Sequence, residues 1–234
     1  TPAWSPSNEW IAFTSYYEST PRLYMVSLSS GQLQAFPPSG GLLTTPAFSP
    51  DGKQLAFSAR LNEASDTDIY IAGVDGGNLR NITQHPGIDI SPCWSPTGRQ
   101  LAFVSNRGGV PQIHICDTFG ADLTCITLES GYASSPDWSP DGRYIVFSWK
   151  PSRMAHFDLF IAEVATKRIL QLTQGHGDNE NPSWAPDGRH IVFQSNRSGS
   201  SEIYTIFADG SELRQITNLQ GCSNPDWSSY AQKN

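Results

Sequence analysis

The chain has 234 residues, and its 15 Lys+Arg against 22 Asp+Glu give a formal charge of −7, which works against attraction to phosphate backbones or anionic membranes. No apolar run approaches the roughly 18 residues a membrane helix needs, and nothing at the start has the charged-then-apolar order of a secretion signal. Nucleic-acid binding and direct membrane insertion are therefore poor readings.

One pattern dominates the rest. Pro-x-Trp/Phe-Ser/Ala-Pro-Asp-Gly begins near residues 2, 46, 92, 136 and 182, with a cut-short copy at Pro225, giving steps of 44, 46, 44, 46 and 43 residues. A period in the forties denotes an array of equal small units, so residues 1–234 read as one domain. Because residue 1 falls one position before a repeat, the start reads as a cut through a longer polypeptide.

Each repeat opens with Pro-x-Trp, a short extended segment, since proline restricts itself and its predecessor. Asp-Gly follows at Asp51, Asp141 and Asp187, with Thr97-Gly98 and Ser7-Asn8 as variants; it is a strong hairpin signal because such turns need positive φ. The second strand is an apolar run, from Trp10 to Phe13, then Leu55 to Phe57, Leu101 to Phe103, Ile145 to Phe147 and Ile191 to Phe193. Such runs suit a strand buried on both faces.

A polar loop leads to a third strand around Tyr24, Tyr70, His114, Phe160 and Tyr204, rich in β-branched and aromatic residues. A glycine turn then leads to a fourth strand ending at Thr83, Thr127, Thr173 or Thr217. No segment carries a long 3.6-residue period, so the fold is expected to be all-β. Four-stranded antiparallel sheets repeated radially make a β-propeller, with Trp4, Phe48, Trp94, Trp138 and Trp184 filling the blade interfaces. The count of repeats predicts five full blades plus a partial sixth, built on an orphan strand at 225–229, in an incomplete six-fold ring.

The segments that vary most between repeats are 37–45, 84–91, 128–135, 174–181 and 218–224. As loops around one mouth of a central channel they would form the binding surface. Leu42, Asp89, Ile90, Tyr132, His176, Asp178, Glu180 and Asn181 are the candidate partner-binding residues, the apolar ones beside the acids, with Asp137 and Asp226 near the same mouth. His176, Asp178 and Glu180 would bind a peptide's donors or a Ca²⁺ ion, possible near Asp178 and Glu180, or form a plain solvated loop; no other cofactor or metal is expected.

Catalysis finds little support. The chain has no Gly-x-Ser-x-Gly, no His-Glu-x-x-His, no phosphate-cradling glycine loop and no Cys-x-x-Cys, and its five histidines are scattered. Cys93, Cys116, Cys125 and Cys222 lack zinc spacing. Cys116 and Cys125 are symmetric about the turn from Phe119 to Asp122, which would set them opposite each other in a hairpin, as a disulfide or as two small strand residues.

Written out as Pro-x-Trp-Ser-Pro-Asp-Gly-x-x-Ile/Leu-x-Phe-x-Ser-Asn-Arg…Ile-Tyr…Asp-Gly…Ile-Thr, the repeat resembles the TolB propeller family, built from PD40-type, WD-like units. The match is best over 182–217 and clear over 92–127. Departures are mild: repeat 1 lacks Asp-Gly, repeat 5 has Ala185 for Ser, and repeat 4 carries Trp149 to His156 in place of Ser-Asn-Arg. The resemblance implies six blades, a missing N-terminal α/β domain, and a non-enzymatic, monomeric, periplasmic protein. It also implies docking of the Pal lipoprotein and contact with other Tol proteins in cell-envelope integrity and division. An oxidising periplasm would permit a bridge from Cys116 to Cys125. The alternatives are a propeller domain of a larger enzyme, such as a prolyl-oligopeptidase-like gate or a propeller lyase, and an interaction module of the same repeat type.

Overall fold

The computed structural model describes residues 2–17, 20–37, 40–62, 66–127, 130–152 and 155–228. These residues form five antiparallel four-stranded sheets, each built from strands consecutive in the chain. Blade 1 holds β1 (Pro2–Trp4), β2 (Trp10–Ser15), β3 (Arg22–Ser27) and β4 (Leu33–Ala35); blade 2 holds β5 (Leu42–Phe48), β6 (Gln54–Arg60), β7 (Asp68–Gly73) and β8 (Arg80–Asn81). Blade 3 comprises β9 (Asp89–Trp94), β10 (Gln100–Ser105), β11 (Gln112–Asp117) and β12 (Thr124–Cys125). Blade 4 comprises β13 (Tyr132–Trp138), β14 (Tyr144–Lys150), β15 (Asp158–Glu163) and β16 (Ile169–Gln171). Blade 5 comprises β17 (Asn179–Trp184), β18 (His190–Ser195), β19 (Glu202–Phe207) and β20 (Arg214–Gln215).

The expected blade count is corrected here. There are five blades, residues 225–228 form no strand, and residue 229 lies outside the described residues. Neither a partial sixth blade nor a six-fold ring is supported. Among the described residues the strands of blade 1 make no contact with those of blade 5, whereas every other consecutive pair of blades is packed. Residues 224–227 lie at that seam instead. Trp4 N–H donates to Asp226 Oδ2 at 3.2 Å, Ser183 Oγ to Asp226 Oδ1 at 3.1 Å, and Asn224 N–H to Gln194 Oε1 at 2.9 Å.

The repeated motifs have local physical causes. In Ser49-Pro50-Asp51-Gly52, Gly52 N–H bonds Ser49 C=O at 2.8 Å, with proline at the second turn position, where its fixed φ fits. Only the glycine has positive φ (69°), so the turn is not the doubly left-handed type the Asp-Gly pair suggests. Ser49 Oγ donates to Asp51 Oδ1 (2.6 Å) and accepts Gln54 N–H (2.9 Å), locking the hairpin. Ser139 repeats both bonds with Asp141 and Tyr144. In blade 5, where Ala185 has no hydroxyl, Asp187 accepts His190 N–H at 3.0 Å in its place.

The closing Thr is a second lock. Thr83, Thr173 and Thr217 donate to Asp68, Asp158 and Glu202 while accepting Ile69, Leu159 and Ile203 N–H, tying the end of a fourth strand to the start of the third.

The core lies between blades. Trp94 is buried with Ile69 and Ile71 of blade 2 and Leu101 and Phe103 of blade 3. Trp138 joins Val104 and Ile113 to Ile145 and Phe147, and Trp184 joins Leu159 and Ile161 to Ile191 and Phe193. Phe48 is half-buried against the cluster between blades 1 and 2, and Trp4 is half-buried too.

Candidate functional site

The innermost strands surround a channel of about 290 Å³. The residue before the prolines at 46, 92, 136, 182 and 225 adopts a left-handed conformation: Thr45 (49°), Ser91 (55°), Ser135 (51°), Asn181 (50°) and Asn224 (52°). In β5, β9, β13 and β17 this residue falls within a register shift, as a bulge requires. A non-glycine residue there costs about 1–2 kcal/mol, and hydrogen bonds within blade 2 and across blade boundaries offset it. Thr45 Oγ1 meets Ser58 Oγ at 2.6 Å, Ser91 N–H reaches the same Ser58 Oγ at 3.0 Å, Ser135 Oγ donates to Asn181 Oδ1 at 2.7 Å, and Asn181 Nδ2 donates to Asn224 Oδ1 at 3.0 Å.

The next residue but one in the motif also faces this ring. Asp137 Oδ2 accepts Trp184 N–H from the following blade at 2.7 Å, as Asp226 Oδ2 accepts Trp4 N–H. Desolvation pushes the Asp137 carboxyl up to about 7, the Trp184 amide opposes that rise, and the neighbouring Asp226 adds to it. Burial, then the Asp137 charge, likewise raises the Cys93 thiol.

A larger cavity, about 900 Å³, opens beside the channel at blade 4 and shares Ser91, Ser135 and Asn181 with it. Its existence follows from a break in the repeat. In blades 3 and 5 the Asn of Ser-Asn-Arg pins the segment leading into the inner strand, Asn106 Oδ1 accepting Ile88 N–H and Asn196 Oδ1 accepting Asp178 N–H, both at 2.8 Å. The adjoining Arg107 reaches Asp89 (3.0 Å), and Arg197 reaches Asn179. Blade 4 has Trp149-Lys150-Pro151 instead; Trp149 turns inward against Phe160 (4.9 Å), and Lys150 and Pro151 become cavity wall. Gly131 permits this closeness, since a Cβ there would come within 2.7 Å of Lys150 O and 2.9 Å of Pro151 Cα.

The aromatic wall is fixed in place. Tyr132 meets Phe157 edge-on at 5.7 Å, and Lys150 Nζ sits 5.5 Å from the Phe157 ring centre. Phe157 N–H donates to Asp178 Oδ1 at 2.9 Å, and its C=O accepts Asn179 N–H at 2.8 Å. Glu180 also lines the cavity, half-buried, its carboxyl raised by desolvation and then by the Asp178 charge.

Of the residues expected from sequence, Ile90, Tyr132, Glu180 and Asn181 come together in this cavity. They sit on the ends of inner strands rather than in loops, because β5, β9, β13 and β17 extend upstream of the proline through the bulge. Leu42 opens β5 in blade 2, away from this cavity. Asp89 is fully buried in an ion pair with Arg107. His176 is an exposed turn residue at φ 64°, and Asp178 serves as an anchor for Phe157. Residues 38–39, 128–129 and 153–154, within the segments singled out from sequence, lie outside the described residues. Sequence reasoning passed over Val110, Lys150 and Phe157; the signal for the last two was the departure at 149–156.

The expected cysteine pairing is adjusted. Cys125 pairs with His114, not Cys116, and all four cysteines are free thiols. Among the described residues no group of three or more His, Cys, Asp or Glu is arranged to hold a metal, and both Asp178 oxygens already accept hydrogen bonds, from Phe157 N–H and Asn196 Nδ2. No helix among the described residues is long and apolar enough to cross a membrane.

The PD40 family, described as the TolB beta propeller domain, matches residues 1–231. The chain belongs to the TolB β-propeller family. A Tol-Pal system protein TolB of Gluconobacter oxydans is 38% identical over 66 residues, which are 28% of this chain and 15% of that protein. The crystal structure of TolB from Acinetobacter baumannii superposes with a TM-score of 0.88 at 28% identity, over 98% of this chain and 57% of that one. A putative TolB from Agrobacterium tumefaciens gives 0.83 at 25% identity, over 96% and 83%. The chain thus spans only part of the relatives it matches. An oligogalacturonate lyase in complex with manganese shares the fold alone, at 14% identity and a TM-score of 0.69 over 92% of this chain and 63% of that one.

Proposed function

We propose that this TolB-family propeller is a non-enzymatic docking protein of a Tol-Pal-type envelope system, acting as a monomer in the periplasm and binding a Pal-like lipoprotein, with other Tol proteins as further partners. The observation that carries the reading is the open aromatic cavity at blade 4, set beside the channel mouth where the two flanking blades close the equivalent position with Ser-Asn-Arg. The names of the relatives, Tol-Pal system proteins, supply the class of partner. An exposed apolar patch rimmed by polar groups is what a protein interface needs; Tyr132 is 42% exposed and Val110 46%. Docking would be reversible and would use a surface set in advance by hydrogen bonds, so little ordering cost opposes it.

The test is recovery of an envelope lipoprotein from a Gram-negative lysate on the immobilised protein. Tyr132→Ala is expected to cut recovery about tenfold, as loss of an aromatic anchor does, with an unchanged thermal transition. Failure of the folded wild-type protein to retain any such lipoprotein would overturn the reading.

A further inference from the structure

We propose that the blade-4 cavity selects a segment in which an apolar side chain stands next to a basic one, the apolar chain seated against Tyr132 and Phe157 and the cation paired with Glu180. This rests on the docking role above and adds the chemistry of what docks.

The apolar half follows from the walls. Ile90, Val110, Tyr132 and Phe157 line the cavity, and the Phe157 backbone is held at both N–H and C=O by the neighbouring blade, so this part of the wall is set before a ligand arrives. A volume of about 900 Å³ lies in the range of pockets that enclose a compact ligand, which suits a short extended stretch of chain.

The cationic half follows from Glu180. Its carboxylate is half-buried, and its hydrogen-bond partner is Gln194 Nε2 at a long 3.5 Å. Lys150, the base on the same wall, has its Nζ 5.5 Å from the Phe157 ring centre, where the π face engages its charge; that charge also acts on Glu180, opposing the rise of its carboxyl, but makes no hydrogen bond or ion pair to it among the described residues. Asp178 stands beside Glu180 and adds to the local negative field. A partly desolvated carboxylate with one long hydrogen bond gains more from an incoming ammonium or guanidinium than an exposed one does. The overall charge of −7 favours the approach of a basic segment.

The experiment titrates the folded chain with two capped tripeptides, Ac-Leu-Lys-Gly-NH₂ and Ac-Leu-Glu-Gly-NH₂. The Trp149 indole N–H, behind Gly131 at the cavity edge, reports binding by ¹H–¹⁵N NMR. A saturable shift is expected with the Lys peptide. Binding should weaken about tenfold, or ~1.4 kcal/mol, both with the Glu peptide and in Glu180→Gln. Tyr132→Ala should weaken both peptides equally. Equal affinity for the two peptides, an unaltered Glu180→Gln, or no saturable shift from the Lys peptide would overturn the proposal. The lysate recovery run beside it separates the two claims. Lipoprotein retained without peptide discrimination removes the selectivity and leaves the docking role; discrimination without lipoprotein removes the docking role alone.

Discussion

Asp137 shows how one side chain can be both a tie and a liability. Its carboxylate accepts Trp184 N–H and so stitches blade 4 to blade 5, yet burial raises it to about 7 from an ordinary 3.8. A raised acid binds its proton more tightly folded than unfolded, so its contribution to stability is greatest below about pH 4, declines as pH climbs toward 7, and is level above that. A tenfold difference in proton affinity between the folded and unfolded chain corresponds to about 1.4 kcal/mol. Denaturant titrations between pH 4.5 and 8 should show that decline, and Asp137→Asn, which retains an acceptor for Trp184, should reduce it, leaving the part due to Asp226, whose carboxyl burial raises to about 6. A steep rise with pH in the wild type would contradict the assignment. Trp138 is a simpler case: 6% exposed between blades 3 and 4, its truncation to Ala should cost ~3–5 kcal/mol in a denaturant titration at constant pH. A loss under about 1 kcal/mol would be out of line with burial of a whole indole.

Among the elements, the second and third strands were plain in the sequence because runs such as Leu55-Ala56-Phe57 and Ile69-Tyr70-Ile71 are apolar on both faces, and both faces are in fact buried. The inner strands were not. Proline at 46, 92, 136 and 182 reads as a strand start, and only the left-handed bulge before it lets pairing continue upstream to Leu42, Asp89, Tyr132 and Asn179. Ile90, Tyr132, Glu180 and Asn181, half of the candidate residues, therefore line one cavity from inner strands rather than from the loops expected. The hairpin of Cys116 and Cys125 failed for a related reason. Asp122 takes φ 55° and Asp117 N–H bonds Ala121 C=O, which shifts the register by two residues from the symmetric guess. The Ser-Asn-Arg element, recognised as a consensus, proves to be a latch on the mouth. Asn196→Ala should free the Asp178 amide and loosen the anchor of Phe157, costing about 1 kcal/mol. Hydrogen exchange at Asp178 and Phe157 should quicken while that of Phe193 stays slow.

At the scale of the whole molecule, each blade is packed on the next except at the seam between blade 5 and blade 1, where residues 224–227 make the link. The sequence showed that a sixth copy of Pro-x-Trp existed but not that it would remain without a strand, since its Asp226 and Asn224 are held by side-chain bonds rather than by a ladder. Asp226→Ala removes the acceptor of both Trp4 N–H and Ser183 Oγ. It should lower Tm and speed exchange in β2 before any change in β14, a difference that hydrogen exchange with mass spectrometry resolves; uniform loosening of all five blades would speak against a local seam. That same bond has a bearing on how the chain is made. Trp184 reaches back 47 positions to Asp137, but Trp4 must wait for a partner 222 positions later. During synthesis each blade can condense on its predecessor as it emerges, from neighbouring segments alone. The seam, by contrast, cannot shut until residues 224–227 have emerged, so its closure follows the making of all five blades.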